Sequence, residues 1–470
     1  MATINSAFNI ISQALEADQS GLSIVANNVA NATTPGYTEE RPNWVENSPV
    51  EINGVAYGAG VTQTGPTSIR DRVLEERLDQ QKQLAAASNS RLTALNTMQA
   101  LFTPDSGNAG AAAGDIGGDI TSFFDSFSAL EANPTDNALR QQVLSSATTL
   151  SGDISNAAAG LNAQQAALDQ EAAGTTSQIN ALTASIAQLN QEIQSNSPHA
   201  DAGVLEDQRQ QDLSQLSQII GINQVTTENN GLSVTTTSGQ LLVSEESSFP
   251  LTDSLVGGVT HFFVGATDVT SQLEAGGGQL GGYLTARDQD IPSALGSLDQ
   301  LAYSISTSVN TQNNAGTDLA GDNGNAGDIF LQPAQVPGSA IAMSVVMTDP
   351  NHIAAAGLGQ GTGDNSNTTA MANLGNQAIV NGQTPSDYYS NFVSTLGATV
   401  SNVRTENTAQ NASVTQLQTQ NDSLSAVNLN EEASSMTQLE RSFQAASQVF
   451  TMINSMMASV LNLGEQATVA

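Results

Sequence analysis

Apolar residues recur at alternating steps of four and three at both ends of this chain, and that pattern constrains everything between them. Near the start it runs through Ile4, Phe8, Ile11, Leu15, Asp18, Leu22, Val25 and Val29; near the end through Met436, Leu439, Phe443, Ala446, Phe450, Ile453, Met457 and Val460. Such spacing is the seam of a coiled coil, in which under-wound helices keep one stripe facing a partner. About four heptads at 1.5 Å per residue give each helix a length of roughly 40 Å. Neither helix hides its stripe alone in water, so the simplest expectation is that the first and last helices pair and the middle is looped away from them.

The middle is large and weakly charged. Of 470 residues only 12% are charged and 4% aromatic, which favours long helices with small-residue packing and leaves room for two to four domains. The formal net charge is −34 and Lys82 is the only lysine, so a nucleic-acid partner, which needs a basic patch, is excluded. There is no cysteine, which excludes disulfides, thiol catalysis and thiolate metal sites. No run of 18 apolar residues occurs, so no membrane insertion is expected. The start lacks a basic leader and an apolar core, so export, if it occurs, is expected without a cleaved signal peptide.

Taken in order, the first seam helix is expected over 3 to about 32 with Thr3 as its cap, and Pro35-Gly36 stops it. The Asn residues at 27, 28 and 31 favour helix ends and turns, but a helix end with a turn does not account for their run. An extended connector follows over 35–66, with two short strands around Asn53-Gly54 and with Trp44 as a packing anchor or, on the sharper reading, an intersubunit contact. Helices are expected at 67–102, 115–131, 136–195, to about 220, and from Gln279 to about Asn313, with Gly160 and Gly174 as kinks in the longest and a Gly/Ala-rich loop over 103–114. Residues 222–274, rich in Val, Thr, Ser and Gly, read as a small inserted β domain, which a strand at 341–347 joins. Thr384-Pro385-Ser386-Asp387 starts a helix with a third, partly polar heptad: Val393, Leu396, Val400, Val403, Asn407, Gln410, Val414, Leu417, Asn421 and Leu424. Val427-Asn428-Leu429 interrupts it, and Asn430 is expected to cap the last helix.

The stretch from Ala26 to Tyr37, with Asn27, Asn28, Asn31, Pro35, Gly36 and Tyr37, resembles the N-terminal signature of the bacterial flagellar axial proteins: rod, hook and hook-associated proteins. Val427-Asn428-Leu429-Asn430-Glu431-Glu432-Ala433, followed by Gln438-Leu439-Glu440-Arg441-Ser442-Phe443-Gln444-Ala445, is similar to the C-terminal signature of the hook-associated protein 1 branch. Gly281-Gly282-Tyr283-Leu284-Thr285-Ala286-Arg287-Asp288 and Gly316-Thr317-Asp318-Leu319-Ala320-Gly321 point to the same branch; a rod or hook subunit is the alternative. The resemblance covers roughly 1–220 and 277–470. Thr38-Glu39-Glu40-Arg41 departs from the family's usual Ser-Arg-Gln, and the family usually has Asp where Asn430 stands.

The resemblance implies a mainly α structural protein that joins hook to filament outside the cell. Its terminal core (1–34 with 430–470) would be a coiled-coil pair, a discontinuous helical bundle (67–220 with 277–428) the tube wall, and the β domain (221–276, with a contribution from 325–360) the outer face. It implies as partners copies of the chain in a ring, hook protein, the next hook-associated protein on the filament side, the flagellar export apparatus, and a cytosolic export chaperone on the C-terminal helix. The assembly seams are then Ile4, Phe8, Ile11, Leu15, Leu22, Val25 and Val29 at one end and Met436, Leu439, Phe443, Phe450, Ile453, Met457 and Val460 at the other.

Little chemistry is expected. His199, His261 and His352 lie far apart without ligand spacing, so no catalytic or metal site is assigned. Gly276 to Gly281 matches G-x-G-x-x-G, but no clear buried strand precedes it, and a turn into a helix is the better reading than a cofactor site. Asp318, Asp322, Asn325 and Asp328 miss the calcium-loop spacing, with Ile329 where the last ligand should stand. An enzyme carried on an axial scaffold would need paired acids or a metal cluster in the β insert. A coiled-coil adhesin would lack the Asn-rich motif before Pro35.

Overall fold

The computed structural model describes residues 2–52, 54–103, 115–197 and 201–466. The chain leaves and returns by the same route. Helix α1 (Ala2–Asn31) leads into β1 (Glu40–Glu46), the hairpin β2 (Val50–Ile52) and β3 (Val55–Tyr57), and β4 (Val61–Ser68), which pairs back on β1. Asn53 of the hairpin turn, most of the loop at 103–114 and His199 lie outside the described residues, as does the side chain of Thr3.

Four helices follow: α2 (Arg72–Ala100), α3 (Ile116–Ala132), α4 (Asn137–Asn196) and α5 (Val204–Ile219). Aspartates cap the first three: Asp71, Asp115 and Asp136 each accept backbone N–H bonds from the first turn, satisfying donors a helix start leaves orphaned. A four-stranded antiparallel sheet comes next, β5 (Ile222–Thr226), β6 (Leu232–Thr236), β7 (Leu241–Ser244) and β8 (Ser247–Ser248), then a three-stranded one, β9 (Leu251–Val256), β10 (Val259–Val264) and β11 (Thr267–Asp268). β6 and β10 alternate buried and half-buried residues, the pattern of strands with one covered face. Helices return as α6 (Thr270–Gly276), α7 (Gly278–Thr285) and α8 (Ile291–Asn314). Then come β12 (Gly316–Thr317), α9 (Ser339–Ala342), β13 (Ala356–Gly357), α10 (Ser366–Leu374), α11 (Pro385–Ser425) and α12 (Leu429–Gln466).

Helix α4, 60 residues long, is the spine of two cores. Its first half, from Val143 to Leu168, packs with α2, α3, α8, α10 and α11 around Phe123, Phe127 and Phe330. From Ala172 onward the same helix packs with α5, α7 and the sheets around Leu242 and Phe262. The glycines at the start of and within α7 serve close packing. A Cβ on Gly278 would lie 2.6 Å from the Ile220 backbone, and one on Gly282 2.3 Å from the Ala87 carbonyl, so α7 is pressed against both α5 and α2.

Several expectations are corrected. No strand runs over 341–347, and 325–360 does not join the sheets. The Asp299 carboxylate accepts from Gly338 and Ala340 N–H at 2.9 and 2.8 Å and starts the turn of α9. Ile329, Phe330, Ala340, Met343, Met347 and Ile353 pack into the helical core, and Val345 makes only an isolated bridge to Phe330. α1 already includes Thr3. The second helix starts at Arg72, because β4 runs on to Ser68. α4 continues through Gly160 and Gly174; the former makes room for Leu101, whose Cδ2 would lie 2.9 Å from a Cβ there. Asn428, not Asn430, begins α12: its Oδ1 accepts from the Asn430 N–H and its carbonyl from that of Glu432.

Candidate assembly interface

α1 and α12 pair antiparallel. Glu432 reaches Asn28, Leu439 lies against Gly21, and the Phe450 ring meets that of Phe8 at a centroid distance of 4.9 Å. A Cβ on Gly21 would approach Leu439 and the Trp44 ring to 3.1 and 3.2 Å, so glycine there lets the helix, its partner and the connector close on one another. Trp44 thus anchors β1 on α1 while 40% of it stays exposed.

Burial along the pair is uneven. On α1, Val25 is buried, Ile4, Phe8, Ile11, Leu15 and Leu22 are half-buried, and Val29 is exposed. On α12, Leu439 is buried, Met436, Phe450, Ile453 and Met457 are half-buried, and Phe443 and Val460 lie open. A second apolar stripe stands beside this seam: Val449, Met452, Met456 and Val460, at steps of three, four and four, with Met452 57% exposed. Sequence reasoning named only one stripe. The doubling at 449–450, 452–453 and 456–457 was the available signal, since apolar residues spread this wide on a helix need two neighbours.

The Asn run closes the root of the pair. Asn28 is 1% exposed, and its carboxamide is fully used. Its Nδ2 donates to the Glu40 carbonyl at 2.8 Å and to Glu432 Oε1 at 2.9 Å. Its Oδ1 accepts from the Tyr37 hydroxyl at 2.8 Å and from the Glu40 N–H at 3.0 Å. Asn27 donates to the Tyr37 hydroxyl at 3.2 Å, and Asn31 folds back on Asn27. One amide therefore ties the end of α1, the connector and the start of α12; a buried amide needs such full pairing. Pro35 and Gly36, with φ of 81° at Gly36, turn the chain so that Tyr37 points back to it.

From this root, bonds run on to the helical core. The Glu39 N–H donates to the Ser425 carbonyl at the end of α11, and Thr38 N–H to Asp207 on α5 at 3.1 Å. Arg70 pairs with Asp207, and Arg72 with Glu206 at 2.9 Å. The junction is crowded with acids. Burial raises Glu40 and Glu432 above the usual carboxylate range, and burial pushes Glu75 up to about 7 against the pull of Arg70. Burial and the neighbouring acids Glu40 and Asp207 also raise the Tyr37 hydroxyl, so it stays a donor to Asn28.

The third heptad pairs α11 with α2. Leu396, Val400 and Val403 are buried, and two of the polar members find polar partners: Asn407 Nδ2 donates to Ser88 Oγ at 3.1 Å, and Gln81 bonds Gln410, while Asn421 Oδ1 is buried without a hydrogen bond. Among the described residues His261 pairs with Asp268 on the sheet surface, and His352 lies apart from it, against Asp318.

Three comparisons bear on this arrangement. Residues 108–330 match the family described as "Flagellar hook-associated protein FlgK helical domain", 8–38 the "Flagella basal body rod protein" family, and 418–463 the "Flagellar basal body rod FlgEFG protein C-terminal" family. Flagellar hook-associated protein 1 of Bacillus subtilis is 26% identical over 96% of each chain, and that of Escherichia coli 23% identical over 98% of this chain and all of the other. The solved structure of the flagellar hook junction protein FlgK from Burkholderia pseudomallei superposes with a TM-score of 0.65 at 18% identity, over 73% of this chain and 99% of that one, and shares its fold.

Proposed function

The chain belongs to the family of flagellar hook-associated protein 1, and from that premise we propose that it is the structural subunit joining hook to filament, assembling through α1 and α12. The observation that carries this reading is the terminal pair itself. Its inner seam joins Phe8 to Phe450, while Val449, Met452, Met456 and Val460 stay open on the next face. Apolar residues in such a stripe call for a lateral partner, and neighbouring copies in a ring supply one at every position.

The same argument extends to the finer parts of the reading. In the cell that makes it, the exposed stripe needs cover, so α12 is the segment an export chaperone holds. The subunit then passes through the export apparatus to the extracellular flagellum, where hook protein lies on one side and the next hook-associated protein on the other. Domains divide accordingly: the pair of 1–34 with 430–470 lines the core, 67–220 with 277–428 builds the wall, and 221–276 faces outward. The role is structural, not catalytic.

The test is electron microscopy of cells lacking the gene, complemented with the native chain or with Phe450→Asp, together with an immunoblot of the medium for filament protein. Hooks without filaments and filament protein lost to the medium are expected in the deletion and in Phe450→Asp. Missing hooks would move the chain to the rod or hook class, and normal flagella in Phe450→Asp would refute assembly through this seam.

A further inference from the structure

In the sequence Asp318 and Asp322 miss the calcium-loop spacing and His352 lies far from any ligand partner. Folding brings them together at the far end of α8 from the glycine-rich turn of α7, with one donor atom from each within 4.8 Å of the others. His352 Nδ1 lies 2.7 Å from Asp318 Oδ2 and 3.6 Å from Asp322 Oδ2. The Asp318 side chain is wholly buried, while those of His352 and Asp322 are 38% and 52% exposed, so the cluster has a closed floor and an open mouth.

The backbone around it is held rigidly by side chains that are themselves completely buried. Arg140 donates to the Pro350 and Ile353 carbonyls, on either side of His352, and to the Pro134 carbonyl before its own helix. Asn313 donates to the Gly327 and His352 carbonyls and accepts from the Ala354 N–H. The loop end is fixed in turn: the Asp322 N–H donates to Asp318 Oδ1 at 2.8 Å, and the Leu319 N–H to the Asn351 carbonyl. A solvated loop needs no such scaffold, whereas a metal site needs its ligands oriented by a supporting layer.

The charge balance points the same way. Asp318, Asp322 and Asp349 face one imidazole. The N–H groups of Arg140 bond carbonyls, but its charge acts on Asp318. With the ring neutral, three carboxylates against one guanidinium leave the pocket net negative.

We propose that Asp318, Asp322 and His352 form a binding site for a first-row divalent metal ion of the zinc class. One nitrogen and two single carboxylate oxygens suit such an ion, whereas calcium takes six to eight oxygens. An ion about 2.1 Å from each ligand separates its donors by roughly 3.4 Å, close to the 3.6 Å between His352 and Asp322. Binding replaces the hydrogen bond between His352 and Asp318: the neutral ring presents Nδ1, its proton sits on Nε2, and solvent fills the remaining positions. The ion ties the loop after β12 to the turn at 350–352, remote in sequence from both assembly helices.

Titration calorimetry of the chelator-treated full chain with ZnCl2, and with CaCl2 in parallel, tests this, supported by the visible absorption of CoCl2. One zinc per chain is expected, bound more tightly than calcium, with a cobalt band. His352→Gln and Asp322→Asn should each weaken zinc at least tenfold, while His261→Gln leaves it unchanged. Asp322 is half-exposed, so its variant reports on the site even where His352→Gln disturbs the turn. Equal zinc binding in native, His352→Gln and Asp322→Asn chains, loss in His261→Gln, or tighter binding of calcium than zinc would each overturn the assignment.

Discussion

Phe123 and Phe450 both sit on amphipathic helices, and their surroundings differ completely. Phe123 is wholly buried and meets three rings, Phe124, Phe127 and Phe330, at centroid distances of 5.1, 5.3 and 5.4 Å. Phe450 meets one, Phe8, and stays half-buried. The first environment is closed within the chain. The second is left half open within the chain. Similar periodicity thus has two outcomes: around Phe123 it closes a core within the subunit, and along α12 it leaves apolar side chains open.

The comparison breaks first on energetics. Phe123→Ala should destabilise the helical core by ~3–5 kcal/mol, the usual result of emptying an aromatic site that cannot collapse. Phe450→Ala should leave that core untouched. Trp44, the only tryptophan, lies against Gly21 of α1 and so reports on the terminal pair, while ellipticity is dominated by the remaining helices. In urea the fluorescence transition of the native chain should come before the loss of ellipticity, and Phe123→Ala should move only the latter. Coincident transitions would mean that the two regions fold as one unit.

Asn28→Ala sharpens the boundary between them. It strands the Glu40 carbonyl and N–H, the Tyr37 hydroxyl and the Glu432 carboxylate in a buried place. Unmet groups of this kind cost ~1–3 kcal/mol, and the loss should appear as earlier Trp44 fluorescence change and faster amide exchange in α1, with the α4 amides unaltered.

The junction also carries a smaller, pH-dependent effect. Glu75 is pushed by burial from 4.5 up to about 7. An acid whose folded pKa is raised binds more protons when folded, so its contribution to stability is fully present below about 4.5 and is lost as the pH rises through about 7. Glu75→Gln should flatten that part of the stability profile between these limits, measured as the urea midpoint of the native and variant chains at pH 5 and pH 8.

Much of this was legible because it is local. The stripe of α4 from Val143 to Ile193, the capping of α11 by Thr384 and the alternation in β6 and β10 all follow from neighbours a few residues apart. What escaped depends on partners remote in sequence. The bond from Asn28 to Glu432 spans 404 residues, which is why the Asn run stood out yet had no account. The π-helical turn Ala286–Asp290 is another such case: it carries buried Arg287 to Asp169 and to the Thr260 carbonyl, and no propensity encodes that reach. Met343 and Met347 read as a strand because apolar side chains are ambiguous until Asp299 fixes the turn before them.

The smallest effect expected on the isolated chain is the most informative about its surface. Met452→Ser with Met456→Ser removes two apolar side chains that are already more than half exposed, 57% and 52%, so monomer stability should change by less than ~0.5 kcal/mol, as for ordinary surface positions. Neither residue belongs to the stripe that faces α1 through Phe450 and Ile453, so the terminal pair should keep its Trp44 fluorescence. Assembly should nevertheless fail, read as loss of filaments in complemented deletion cells. A stable subunit that no longer builds separates the second stripe from folding and gives it to a neighbour. Normal filaments would restrict the assembly contacts to the seam that α1 already half covers.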